Sequence, residues 1–170
     1  MTTMAPDSSS ASIAPVRKSV TVRAEQADAF RLFTTEIDSW WPRSHHIGTS
    51  PMKRVIVEQK AGGRCYSEQV DNTECDWGSV LAWDPPRRFV MAWQITPQWQ
   101  FEPDLAKSSE VEVVFTALGD GRTRVDLEHR YFERHGAAGG AAMRLGVDSP
   151  KGWGDLLALY AARTEADARV

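Results

Sequence analysis

Residues 110–132, EVEVVFTALGDGRTRVDLEHRYF, limit the choice of fold more than any other stretch. Val111, Val113 and Phe115 share one side of the first run. Val125, Leu127, His129 and Tyr131 oppose Asp126, Glu128 and Arg130 in the second. A period of two over this length marks strands with one buried face, and GDG between the runs is a hairpin turn. Two such strands do not stand alone in water. They require more strands and an element to cover the apolar face.

The rest of the chain supplies both. VRKSVTV (16–22) alternates with the same period. Ala29, Phe30, Phe33 and Ile37 recur at helical spacing, which predicts a helix from about Ala24 to Asp38, and Pro42 stops any continuation. RVIVEQK, RCYSEQV, DWGSVLAW and RFVMAWQI follow as strands, separated by AGG, DNTE and DPP. TPQWQFEPDLAKSS is an irregular loop. GAAGGAAMRLG predicts a short, weak helix, because glycine opposes one. Trp153, Leu156, Leu157 and Tyr160 then fall at i, i+3, i+4 and i+7. Ser149 as cap and Pro150 as first residue predict a closing helix from about Pro150 to Ala168. The predicted class is α+β: a curved antiparallel sheet of about six or seven strands wrapped around a long C-terminal helix. The first helix closes one end, and a cavity is expected between sheet and helix. Residues 1–15 are expected to form a disordered tail, and 16–170 a single domain.

Composition removes several function classes. A net charge of −3 gives no reason to expect a nucleic-acid partner. No apolar run approaches the roughly 20 residues that cross a bilayer. MTTMAPDSSSASIAP lacks the basic and apolar regions of a secretory signal, so a cytoplasmic location is expected. Cys65 and Cys75 would not lie opposite each other in a hairpin turning at DNTE, which argues against a disulfide. No CxxC pair or spaced Cys/His set is present, and none of the nucleophile-elbow, phosphate-loop or dinucleotide signatures. No metal and no cofactor are expected.

Four segments carry a resemblance: GGRCY (62–66), WGSVLAWDPPRRFVMAW (77–93), SEVEVVFTALGDGRTRVDLEHR (109–130) and GWGDLLALY (152–160). Together they resemble the activator of heat-shock-protein ATPase homologue-like family, within the START, birch-pollen-allergen and polyketide-cyclase superfamily. The resemblance implies the helix-grip fold. Members of that superfamily include lipid carriers, hormone receptors, aromatases and cyclases, and chaperone activators, so the fold leaves function open.

The candidate ligand-binding residues are Trp41, His45, Glu68, Trp93, Trp99, Phe115, His129 and Trp153. Alternation turns Trp93, Phe115 and His129 to the buried side, and helical spacing aims Trp153 the same way. Trp41 and Trp99 are placed near the mouth. Trp40 and Trp41 can also serve as a plug for the open end of the grip. His45 and His46 are adjacent and lack a third ligand at metal-binding spacing. His129 either is a satisfied core histidine or touches a ligand. Glu68 is in the cavity if Tyr66, Glu68 and Val70 face inward, and on the surface if Cys65, Ser67 and Gln69 do. No residue is assigned as catalytic or as a metal ligand. The leading reading is a binding protein for a small hydrophobic or aromatic molecule. The rivals are a cyclase, dehydratase or hydrolase using His129 and a carboxylate, and a module that binds a chaperone or regulator. A second copy of the chain is a further candidate partner.

Overall fold

The structure, a computed structural model, describes residues 12–168. Seven antiparallel strands form one sheet: β1 (Val16–Val22), β2 (Met52–Val57), β3 (Arg64–Gln69), β4 (Glu74–Asp84), β5 (Arg88–Trp93), β6 (Ser109–Gly119) and β7 (Arg122–Arg130). Their order across the sheet is β1-β7-β6-β5-β4-β3-β2. Every hairpin links neighbours in sequence, and β1 closes the series by pairing with β7. The β6–β7 register sets Val111 against His129 and Val113 against Leu127, so one face is a continuous apolar surface. The predicted strand series and class match the observed α+β helix-grip architecture, in which the sheet curls as a half-barrel around the last helix.

Bulges help to curl it. Cys65 pairs with Gly78 and Tyr66 with Asp76, which leaves Trp77 as an extra residue in β4. A second register shift lies between Val80 and Ala82. An extra residue bends its strand and re-aims its side chain.

Helix α1 (Gln26–Phe33) is shorter than its apolar spacing predicts, and a separate 3-10 turn covers Ile37–Ser39. Thr34 ends it. Its buried hydroxyl donates to the Phe30 carbonyl at 2.7 Å, a local bond that competes with helix continuation. The Leu32 carbonyl receives the Trp40 indole N–H at 2.8 Å, which satisfies one of the carbonyls a helix end leaves free.

Helix α2 (Ala137–Val147) forms despite its glycines because one of them is needed there. A Cβ on Gly140 would collide with the Phe132 carbonyl, so glycine lets α2 approach that backbone. Helix α3 (Trp153–Ala168) starts three residues later than predicted. Ser149 closes α2 instead of capping α3: its hydroxyl donates to Gly146 O, and its carbonyl accepts from the Gly152 N–H. Trp153, Leu156, Leu157 and Tyr160 of α3 are buried, as their spacing predicts. Tyr160 donates to the Ala29 carbonyl at 2.7 Å and ties α3 to α1.

Both cysteines are free, and Ser67 rather than Cys65 lies opposite Cys75. Most of the predicted tail, residues 1–11, lies outside the described residues. Next to it, Ile13 packs on the core and the Ala14 carbonyl accepts from Arg144. Among the described residues no helix is long and apolar enough to cross a membrane.

Candidate ligand-binding site

A cavity of about 500 Å³ opens between the sheet, the 41–52 segment and the α2–α3 junction. Its frame is a closed circuit of indoles. Trp41 stacks on Trp77 at 5.9 Å and 14°. Trp77 meets Trp93 edge-on at 6.1 Å, Trp93 meets Trp153 at 5.7 Å, and Trp153 returns to Trp41 at 6.3 Å. Offset and edge-to-face contacts at these separations are favourable for aromatic rings. Four elements supply one ring each: the segment after α1, the adjacent strands β4 and β5, and the first turn of α3. Met52, Ile95, Val147 and Leu156 fill in the apolar wall.

The rim is latched. Trp41 donates its indole N–H to the His45 carbonyl at 2.8 Å. His45 Nε2 lies 2.9 Å from the Lys151 carbonyl, which joins the 42–48 loop to the α2–α3 linker. Trp99 stands at the mouth, half exposed, at the tip of a turn closed by Thr96 and Gln100. Its φ of +61° is a left-handed conformation that a bulky side chain seldom adopts. The ring lies over Gly146 of α2.

Polar atoms on an apolar wall matter most when nothing in the protein pairs with them. His46 Nδ1, Ser67 Oγ and Trp93 Nε1 all belong to cavity-lining residues, are buried, and have no hydrogen-bond partner among the described residues. Ser67 is 1% exposed and Trp93 is 5% exposed. An indole N–H only donates. Trp93 Nε1 is therefore a buried donor left unpaired on a residue of the cavity wall.

The sequence-predicted residues divide in two. Trp41, His45, Trp93, Trp99 and Trp153 line the cavity together. Glu68, Phe115 and His129 do not. Glu68 lies on the outer face, since Cys65, Ser67 and Gln69 are the inward set of β3. It accepts from Arg54 at 2.7 and 2.9 Å, and the Arg54 hydrogen bonds hold its carboxyl below the usual range. Phe115 is on the predicted face but farther along β6, where α1 covers it: Phe30 and Phe33 lie 5.2 and 5.9 Å away. His129 is fully enclosed behind Trp153 and bonded through both ring nitrogens, to Trp153 Nε1 at 3.0 Å and Ser109 Oγ at 2.8 Å. Burial drives its pKa well below the ordinary histidine value, and the neighbouring His135 adds to the effect.

Sequence reasoning missed Trp77 and Ser67 as wall residues. Trp77 was visible only as one position of a strand, and its aim depends on the bulge. Ser67 was visible as one of two parity sets. Trp40, the other half of the predicted plug, is buried against Phe33 and Tyr160 rather than the cavity. No Asp or Glu lines the cavity. Among the described residues no group of three or more His, Cys, Asp or Glu could hold a metal ion.

Residues 23–158 match the family described as activator of Hsp90 ATPase homolog 1-like protein. A comparison with curated protein sequences finds no match. Among solved structures, an anthrahydroquino-gamma-pyrone synthase, Txn09, is 38% identical, with a TM-score of 0.63 over 89% of this chain and 97% of its own. CalC from Micromonospora echinospora, a self-sacrificing resistance protein, is 30% identical, with a TM-score of 0.63 over 90% of this chain and 95% of its own. BexL, a di-domain ARO/CYC of the BE-7585A biosynthetic pathway, shares the fold at 18% identity and a TM-score of 0.59, over 90% of this chain and 47% of its own.

Proposed function

Since the chain belongs to the activator of Hsp90 ATPase homolog 1-like family, whose fold hosts many activities, we propose from its own cavity that it binds a small, flat aromatic molecule bearing an acceptor oxygen such as a ketone or quinone carbonyl. One observation carries this reading: four indoles frame the cavity, and one of them, Trp93, has a buried donor, Nε1, with no acceptor among the described residues. Apolar burial would supply most of the affinity, at roughly 25 cal/mol per Å². The recovered hydrogen bond would supply orientation, because a buried unpaired donor costs about 1–3 kcal/mol. Ser67 Oγ can donate or accept and would read a second oxygen. Likeness to an anthrahydroquino-gamma-pyrone synthase supports an oxygenated polycyclic ligand.

The test uses a fluorescent naphthyl ketone, 6-propionyl-2-(dimethylamino)naphthalene, and its analogue without the propionyl group. The ketone is expected to bind saturably at one site with a blue-shifted emission, about two- to tenfold more tightly than the analogue, the worth of one net hydrogen bond. Trp93→Phe removes that preference. Absence of saturable binding by either probe, or an unchanged preference in Trp93→Phe, refutes the reading.

The synthase likeness also favours turnover as a second reading. Its proton transfer would fall to His46, whose Nδ1 is unpartnered, and not to His129, which does not line the cavity. His46→Gln would then abolish conversion of a bound aromatic ketone and leave its binding.

A further inference from the structure

His129 never reaches the cavity, yet it holds a side chain that does. The Trp153 indole N–H donates to His129 Nδ1 at 3.0 Å. An indole nitrogen cannot accept, so Nδ1 must present its lone pair. Neutral His129 then carries its proton on Nε2 and donates to Ser109 Oγ at 2.8 Å. Ser109 Oγ also lies 2.8 Å from His135 Nε2, and its single hydrogen goes there. His135 must accept at Nε2 and keep its own proton on Nδ1. The first two directions are forced by a donor that has no alternative, and the third is the one that leaves no buried hydrogen unpaired.

The far end of this chain meets solvent. His135 is half-buried in the 3-10 turn Phe132–His135 and lines a surface cleft of about 380 Å³ with Thr96, Glu102, Lys107 and Arg134. The charged and titratable groups around it are His129 from β7, Glu102 and Lys107 from the loop between β5 and β6, and Arg134 beside it. From β6 it meets the Ser109 hydroxyl, and Gly139 of α2 lies near its Cβ.

We infer that Ser109, His129 and His135 are positioning residues: a one-way hydrogen-bond relay that sets the Trp153 wall of the ligand cavity and is released when His135 takes up a proton from the surface cleft. The inference rests on the proposed binding function for its effect on ligands. A proton on His135 Nε2 faces Ser109 Oγ as a donor. The Ser109 hydrogen then has two options. It can stay buried without an acceptor, or it can turn to His129 Nε2. His129 can accept there only by moving its proton to Nδ1, where Trp153 donates. The first strands a buried hydrogen and leaves the Trp153 bond in place; the second breaks that bond, and release runs through it.

The sign follows. Burial lowers the His135 pKa from the ordinary 6.5, against an opposing pull from Glu102. The relay is therefore intact above pH 6.5 and is lost as pH falls through the lowered value. Ligand affinity falls with it.

The experiment follows the indole N–H resonance of Trp153 by ¹H–¹⁵N NMR from pH 8 to 5 in the full chain, assigned by its absence in Trp153→Phe. The same pH series is run as a titration with 6-propionyl-2-(dimethylamino)naphthalene. The resonance is expected to move with His135, and affinity to fall about threefold or more as pH is lowered through that same transition, the scale of one lost hydrogen bond. His135→Gln, whose carboxamide oxygen can still accept from Ser109, flattens both profiles. Ser109→Ala, which cuts the relay without touching either histidine, uncouples the indole resonance from pH and serves if the glutamine variant does not fold. A Trp153 resonance that ignores pH overturns the inference. So does a pH dependence that persists in His135→Gln. If the probe binds at no pH while the indole still follows His135, the relay stands and the binding function falls.

Discussion

Acid should unfold this protein through His129. The imidazole is fully enclosed and both of its nitrogens are engaged, one of them as an acceptor from Trp153. The fold therefore admits only the neutral form. The unfolded chain has no such restriction and takes up a proton near pH 6.5. Above that pH neither state binds the proton, and the neutral-histidine contribution is complete. Below it the unfolded state binds more protons than the native state, and stability falls as pH falls, by up to about 1.4 kcal/mol per pH unit for one group. Between pH 7.5 and 5.0 the loss from His129 comes to about 2 kcal/mol. His135, also lowered by burial, adds in the same direction. Carboxylates such as Glu68, held low by Arg54, titrate in a lower range and leave this window clear. Urea unfolding followed by far-ultraviolet circular dichroism at pH 7.5, 6.5 and 5.0 measures the slope. His129→Gln can still accept from Trp153 through its amide oxygen but has nothing to protonate. It should start less stable at pH 7.5 and lose about 2 kcal/mol less than the wild type on acidification. Parallel slopes for the two proteins would refute the argument.

Other expected outcomes concern packing and the rim. Leu157→Ala, on the buried face of α3, should cost about 2–5 kcal/mol in urea unfolding; a change under about 0.5 kcal/mol would show that the helix does not pack there. Trp99→Ala should leave the unfolding free energy within about 1 kcal/mol, because the ring is half exposed and alanine, which also carries a Cβ, leaves the cost of the left-handed backbone unchanged. The same variant should speed dissociation of the naphthyl ketone in stopped-flow fluorescence; an unchanged off-rate would deny Trp99 a part in closing the mouth. Glu68→Gln should leave ketone affinity unaltered, since its carboxylate pairs with Arg54 on the outer face. Calorimetric titration with zinc, copper or nickel should show no stoichiometric tight site, and one that vanishes in the His45→Ala/His46→Ala double variant would contradict the rim reading.

The sheet and closing helix were legible in the sequence because their signals are periodic. Alternation in 110–132 gives the hairpin, and the spacing of Trp153, Leu156, Leu157 and Tyr160 gives the covering face. Periodicity assigns a residue to a face but not to a place along it. Phe115 and His129 show the limit: both point inward, yet α1 covers one and Trp153 shields the other. Parity has its own limit when both sets of a strand are mixed, as in β3, where either set could face inward, Glu68 was named as the candidate, and burial turned the set with Ser67 inward. Trp77 escaped because a bulge adds a residue and breaks the count on which alternation depends. Helix ends escaped where side chains bond locally, Thr34 to Phe30 and Ser149 to Gly146. The resemblance carried by residues 62–66, 77–93, 109–130 and 152–160 gave the family, and it could not give the cavity wall.

The indole circuit also makes the cavity an optical device. Four chromophores spaced 5.7–6.3 Å apart lie close enough for excitation to pass among them before it is emitted. Light absorbed by any member of the ring thus belongs to all of them. A single electron-accepting guest such as a quinone, seated against one indole, would darken the whole ring at once. The protein carries its own reporter in the wall of the proposed site, and occupancy would be read without attaching a dye.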